Sequence, residues 1–147
     1  MNIVYKVKPI GFVHSSLYDR AEAVKSGRDN NVGDIEILKE YEDGLCDIDG
    51  FSHIVIVFWF HRADFRSLRV TPLHFPDKQR GVFATRHPDR PNPVGVTAAR
   101  LLGREGNVLH VRDIDMLDGT PVIDIKPYTK GDQKKHIKLG WLSGKWI

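Results

Sequence analysis

The sequence predicts a mainly β protein, a small antiparallel β-barrel with short helical decorations. Three observations lead there. Short strand-type segments recur along the whole chain, each closed by a turn signal. Helical periodicity is weak. The chain also lacks the alternating helices and the G-x-G-x-x-G turn that a doubly wound dinucleotide fold needs.

The elements follow in order. Ile10–His14 is short and rich in β-branched and aromatic residues, and Asp19–Ser26 supports one or two helical turns. Gly33–Leu38 alternates Ile35 and Ile37 against Asp34 and Glu36, and Leu38–Asp47 reads as a second short helical piece. Ser52–Phe60, SHIVIVFWF, is apolar on both faces and predicts a central strand buried on both sides. Strands near Gly95–Leu102, Val108–Val111 and Pro121–Ile125 follow, separated by turn signals at Gly103–Asn107 and Asp118–Gly119. Because glycine tolerates positive φ, Asp118-Gly119 suits a tight hairpin or bulge. Gly131–Ile147 is lysine-rich yet carries Trp141 and Trp146. Disordered tails rarely hold such aromatics, so this segment is expected to pack on its own subunit or on a partner. Residues 1–147 thus read as one domain, with 130–147 its basic C-terminal extension.

At 147 residues, 41% apolar and 28% charged, the composition is that of a globular chain with one well-filled core. The longest apolar run, Ile54–Phe60, is far too short to span a membrane, and MNIVYKVKPIG has no signal-peptide pattern. A cytoplasmic protein is expected. The single cysteine, Cys46, excludes an intrachain disulfide and a zinc-binding Cys cluster, and it reads as a packed residue. His53 and His61, at opposite ends of one strand, would lie about 26 Å apart at ~3.3 Å per residue. The other histidines show no ligand spacing, so no metal is expected. The net charge of +3 is uneven: Asp29–Asp49 is acidic, whereas Arg62–Arg104 and the tail are basic. That pattern suits a polyanion such as RNA and equally suits two solvated faces.

Arg80–Thr97 is the most informative stretch. Arg86 and Arg90 stand among Pro88, Pro91 and Pro93, and His87, Arg90 and Asn92 each precede a proline. The segment must therefore be extended and stiff. It is either a proline-rich connection with solvating arginines or a loop that holds guanidinium groups for an anion or carboxylate. Trp59-Phe60-His61-Arg62 is either a core strand leaving the barrel or an aromatic pocket with a polar rim, suited to a purine or sulfonium. Asp113 and Asp115 share a face if their segment is extended, with Ile114 turned inward. Asp118 is by default a turn cap. No Ser-His-Asp order or Cys-His pair stands out, which argues against covalent nucleophilic catalysis.

Within Arg80–Thr97, GVFATRHPDRPNPVG joins Leu117–Tyr128 (LDGTPVIDIKPY) and Asp49–His61 (DGFSHIVIVFWFH) in a specific order. Together they resemble the TrmO/TsaA-like family of S-adenosylmethionine-dependent tRNA methyltransferases, over nearly all of Val7–Tyr128. The family motif G-V-F-A-T-R-S-P-x-R-P-N-P-I-G is met with His87 for serine and Val94 for isoleucine. The resemblance implies a non-Rossmann β-barrel assembled as a homodimer. It also implies methylation of N6 of threonylcarbamoyladenosine next to the tRNA anticodon. Cofactor contacts carried over by motif are His61, Arg62, Arg86, Val96, Arg112, Asp113, Ile114 and Asp115. Gly27 and Arg28 join them from the loop at Lys25–Asn31. The family's proline-arginine-glutamine element is missing there, and Ala23–Asn31 is shortened. Larger bacterial members carry a C-terminal domain where this chain has its basic tail.

Methyl transfer from a sulfonium is an in-line displacement whose main demand is alignment. Arg86 is expected to pair with the cofactor carboxylate, and the Trp59/Phe60 region to shape the adenine or sulfonium pocket. Asp115, Asp118 and His61 are the candidates to accept the N6 proton. Arg66, Arg90, Lys134 and Lys135 are candidate tRNA phosphate contacts, with Arg90 alternatively bracing its loop. Two other readings keep the cofactor: transfer to a different acceptor, and a non-catalytic S-adenosylmethionine-binding module.

Overall fold

Six antiparallel strands close into a barrel in the computed structural model, which describes residues 1–146. They are β1 (Gly11–His14), β2 (Val32–Ile37), β3 (His53–Trp59), β6 (Val94–Glu105), β7 (Val108–Arg112) and β8 (Pro121–Pro127). Around the barrel the order is β1-β2-β7-β6-β3-β8, and β8 pairs back onto β1 through Gly11↔Val122 and Phe12↔Pro121. Two further strands of two residues each, β4 (Arg69–Val70) and β5 (Arg80–Gly81), pair outside the barrel. The helix α1 (Arg20–Ser26) starts where the Asp19 side chain accepts the Glu22 N–H and ends at Gly27, φ +66°. The expected second helical piece is a 3-10 stretch, Lys39–Leu45.

Strand alternation fills the barrel interior. Ile35 and Ile37 from β2, Ile54, Ile56 and Phe58 from β3, Ala99, Leu109, Val111 and Val122 form one core with Ile114 and Met116. The same alternation corrects the reading of β3 as buried on both faces. Val55, Val57 and Trp59 point outward and are only half-buried. They pair with Ala98, Val96 and Val94 of β6, so an apolar stripe runs along the outside of the barrel. Cys46 is exposed, which corrects its assignment as a packed residue. Asp118-Gly119 forms a β-turn rather than a hairpin. The Thr120 N–H donates to the Leu117 carbonyl at 3.1 Å, with Gly119 at φ +81°.

Residues 61–93 form a lobe inserted between the neighbouring strands β3 and β6, with β4 and β5 inside it. The Phe60 N–H donates to the Pro93 carbonyl at 2.7 Å and closes the lobe at its base. Gly95 follows directly, and its place in the PNPVG sequence has a steric cause. A Cβ there would lie 2.4 Å from the Phe58 ring and 2.8 Å from Phe60, two rings packed edge to face at 5.1 Å. Among the described residues, no helix is long and apolar enough to cross a membrane, and no acidic, His or Cys cluster could hold a metal ion.

Gly95→Ala should therefore cost about 1–3 kcal/mol, the usual range for overpacking a well-filled core. Urea denaturation should show a lower midpoint with an unchanged slope, and an unshifted midpoint would contradict the close approach of the two rings.

Candidate functional site

The proline-rich loop is held from several directions at once. The Thr85 hydroxyl donates to the Val82 carbonyl at 2.8 Å and accepts the His87 N–H at 3.2 Å. Arg90 Nη1 donates to the carbonyls of Thr85, at 2.9 Å, and His87, at 3.2 Å. Asp89 then ties the loop to the rest of the protein. Its two carboxylate oxygens accept a bidentate pair from Arg20 of α1, both at 3.0 Å, and Oδ1 also accepts the Asp64 N–H at 2.8 Å. Partial burial opposes ionisation, yet these donors and the Arg20 charge hold the Asp89 carboxyl below its ordinary value. Of the two roles open to Arg90, the structure shows the bracing one. Arg86 is exposed and has no hydrogen bond or ion pair among the described residues.

The segment after β7 supplies the opposing charge. Asp113, at φ +67°, leaves the strand direction, so it does not share a face with Asp115. Its carboxylate accepts the Asn30 N–H at 2.8 Å, and its own N–H donates to the Asn31 carbonyl at 2.8 Å. Asp113 thereby pins the short loop that carries Gly27 and Arg28 against the end of β7. Asp115, two residues on, lies in the field of Arg28, His74 and Arg86. The residue is exposed, while the protein atoms packed around it disfavour the charged form. That crowding pushes the Asp115 carboxyl above its ordinary value, while Arg28 first, then its own backbone N–H, His74 and Arg86 pull it back. A carboxylate so placed is a better proton acceptor than a free one.

Of the residues singled out in the sequence, Arg28 and Arg86 both act through their charge on Asp115. His61 and Arg62 adjoin at the foot of the lobe, where partial burial first and the Arg62 cation second lower the His61 pKa. Ile114 is fully buried in the core, so only its backbone can reach a ligand. Val96 lies on the outer stripe, 50% exposed. Phe60 packs on the core through Phe58. Asp118 accepts the Ser15 N–H at 3.1 Å, so its carboxylate ties the turn to the chain leaving β1 and does not cap the turn itself. Arg66 pairs with Asp64 at 2.8 Å on the surface, and Lys134 and Lys135 are exposed. His74 also acts on Asp115, although no motif or spacing marked it. It sits on the lobe, whose two-residue strands carry no periodic signal.

A model of the tRNA-methyltransferase O N-terminal domain matches residues 12–132. The chain belongs to that family. An S-adenosyl-L-methionine-binding protein of Archaeoglobus fulgidus is 44% identical over 124 residues, which cover 84% of this chain and 88% of that one. The human tRNA (adenine(37)-N6)-methyltransferase is 43% identical over 94 residues, 63% of this chain and 21% of the enzyme. A crystal structure of TrmO from Pseudomonas aeruginosa superposes with a TM-score of 0.76 at 31% identity, covering 95% of this chain and 63% of that one. The chain thus spans less than two thirds of the solved TrmO chain and about a fifth of the human enzyme.

His87, where the TrmO motif has serine, has a structural role in this member. Its side chain is only 9% exposed, and Nδ1 accepts the Asp89 N–H at 3.1 Å. Burial lowers the imidazole pKa; Asp89 opposes this, and Arg20 and Arg90 add to it. The folded ring therefore takes up its proton at a lower pH than the unfolded chain, whose ordinary value is 6.5. The unfolded state then binds more protons, so stability falls as pH drops below that value. His87→Asn keeps an acceptor for the Asp89 N–H and removes the titration. Its melting temperature should fall less than the parent's between about pH 7.5 and about pH 5.5. Equal falls would contradict a buried neutral His87.

Proposed function

We propose that this chain is a cytosolic S-adenosylmethionine-dependent methyltransferase acting on N6 of threonylcarbamoyladenosine beside the tRNA anticodon. The observation that carries the reading is the match of residues 12–132 to the tRNA-methyltransferase O N-terminal domain, in which the charges of Arg28 and Arg86 act on Asp115. The donor set fits a zwitterionic cofactor. Arg86 and Arg28 offer unspent guanidinium groups for a carboxylate, and Arg112 Nε is buried without a partner among the described residues. Asp115 offers the complementary anion. When bound, S-adenosylmethionine supplies an activated methyl group.

The chain's residues then have separable tasks. Arg86, held on a stiff loop, meets a carboxylate with little backbone left to order at the moment of binding. Asp113 fixes the Arg28 loop opposite it. Asp115 would accept the proton that N6 loses when its bond to the methyl group replaces the methyl–sulfur bond of the donor, and the raised carboxyl pKa suits that role. His61, whose pKa is lowered by partial burial first and Arg62 second, is the second group able to accept a proton. The outer stripe of Val55, Val57, Trp59, Val94, Val96 and Ala98 supports a homodimer, because a sheet face this apolar gains from being covered. An Archaeoglobus fulgidus relative is named an S-adenosyl-L-methionine-binding protein, and a binding module is the second reading.

The test is incubation of the purified chain with labelled cofactor and threonylcarbamoyl-modified tRNA. Label should enter the tRNA; cofactor binding without transfer to any RNA would favour the binding module. In calorimetry, Arg86→Ala should weaken cofactor binding by about 2–3 kcal/mol through loss of a charge-assisted pair, and unchanged affinity would remove Arg86 from the site. Val57→Glu should convert a dimer to a monomer in sedimentation velocity, and an unaltered species would exclude this stripe as the interface.

A further inference from the structure

The C-terminal segment does not lie free. Trp141 Nε1 donates to the Ala84 carbonyl at 2.8 Å, two residues before Arg86. The Arg80 guanidinium sits 4.6 Å from the centre of the Trp141 ring, and Phe75 meets that ring nearly perpendicular at 6.2 Å. Past this anchor the chain brings Trp146 back onto the same lobe, against His74 at 5.3 Å and 80° and Phe75 at 5.4 Å and 50°. Lys145 Nζ lies 5.1 Å from the centre of the Phe75 ring. Neither neighbouring ring is parallel to the Trp146 indole, and the residue is 72% exposed. The fold therefore anchors a large aromatic side chain at its edges and leaves most of it open.

The surroundings indicate what the indole takes. Residues 61–93 carry seven Arg and Lys against three Asp, and residues 130–147 carry five Lys against one Asp. The rest of the chain has ten basic residues against fifteen acidic ones. Positive charge is thus gathered on the lobe and on the segment pinned to it. Cationic surface interleaved with open aromatic rings is the composition that binds unpaired nucleic acid, with the backbone tracked by charge and the bases stacked on rings. The patch also borders the loop of the proposed site, because the Ala84 carbonyl that holds Trp141 lies two residues before Arg86.

We infer that Trp146, steadied by His74 and Phe75 and flanked by Lys145, is a stacking platform for an unpaired base of the RNA substrate. The inference rests on the RNA reading above but concerns a subsite apart from the cofactor residues. It is tested with the full chain and an anticodon stem–loop RNA labelled for fluorescence anisotropy, with cofactor affinity by calorimetry as the folding control. Trp146→Ala should bind the stem–loop about tenfold or more weakly, the range expected on losing one base–aromatic stack. Trp146→Phe should recover most of that loss, and cofactor affinity should be equal in all three proteins. If the parent binds the stem–loop and Trp146→Ala binds it as tightly, the platform is overturned while the RNA reading stands. A changed sedimentation coefficient with unchanged RNA affinity would assign the indole to a second copy of the chain and also overturn the inference. A parent that binds no RNA would overturn both.

Discussion

The bidentate pair between Arg20 and Asp89 is the constraint on which the site depends. Asp89 lies in the stiffest part of the chain, between Pro88 and Pro91, so a clamp at that one residue fixes the whole loop. The Asp64 N–H adds a third bond from the start of the lobe. Helix, lobe and proline-rich loop are thereby joined through one carboxylate. The consequence reaches Arg86, three residues away. Asp89 absorbs the Arg20 charge and Arg90 is spent on backbone carbonyls, so Arg86 is the guanidinium of this loop left for a ligand. Removing either member of the clamp would leave a partly buried group without its partner, which costs more than the bond itself contributed.

A second division of labour runs across the surface. The barrel interior is apolar, and the part of the chain outside the lobe and the C-terminal segment, barrel strands and their connections together, carries fifteen of the nineteen Asp and Glu. The lobe and the C-terminal segment carry the compensating excess of Lys and Arg. The modest net charge of +3 therefore conceals a strongly polarised molecule. The apolar stripe over β3 and β6 interrupts that pattern on the barrel wall. Cationic lobe, polar cluster and apolar stripe are three surfaces of different chemistry, suited respectively to a polyanion, a zwitterion and another copy of the chain.

Much of the barrel was legible because strand alternation is a strong signal. Ile35 and Ile37 against Asp34 and Glu36 marked both the existence and the inner face of β2. The run Ile54–Phe60 marked β3, but an apolar run does not reveal whether its outer face is covered, and here that face is half-open. The strands β4 and β5 are two residues long and left no periodic trace. In the site, the prolines announced a rigid loop and the motif singled out Arg86. The partner that makes the loop rigid, Arg20, is 69 residues away in sequence, and nothing local pointed to it. Asp113 was misplaced because its left-handed backbone breaks the alternation that would have set it beside Asp115. His74 could not be found from spacing, since its position depends on how the lobe folds back.

Under the proposed function, methyl transfer takes place beside Asp115. Single-turnover methylation of threonylcarbamoyl-modified tRNA by Asp115→Asn, at saturating cofactor, tests it most directly. If Asp115 takes the N6 proton, the rate should fall on the order of a hundredfold, the usual effect of removing a positioned base, while the cofactor still binds. A variant that methylates at the parent rate would contradict the account.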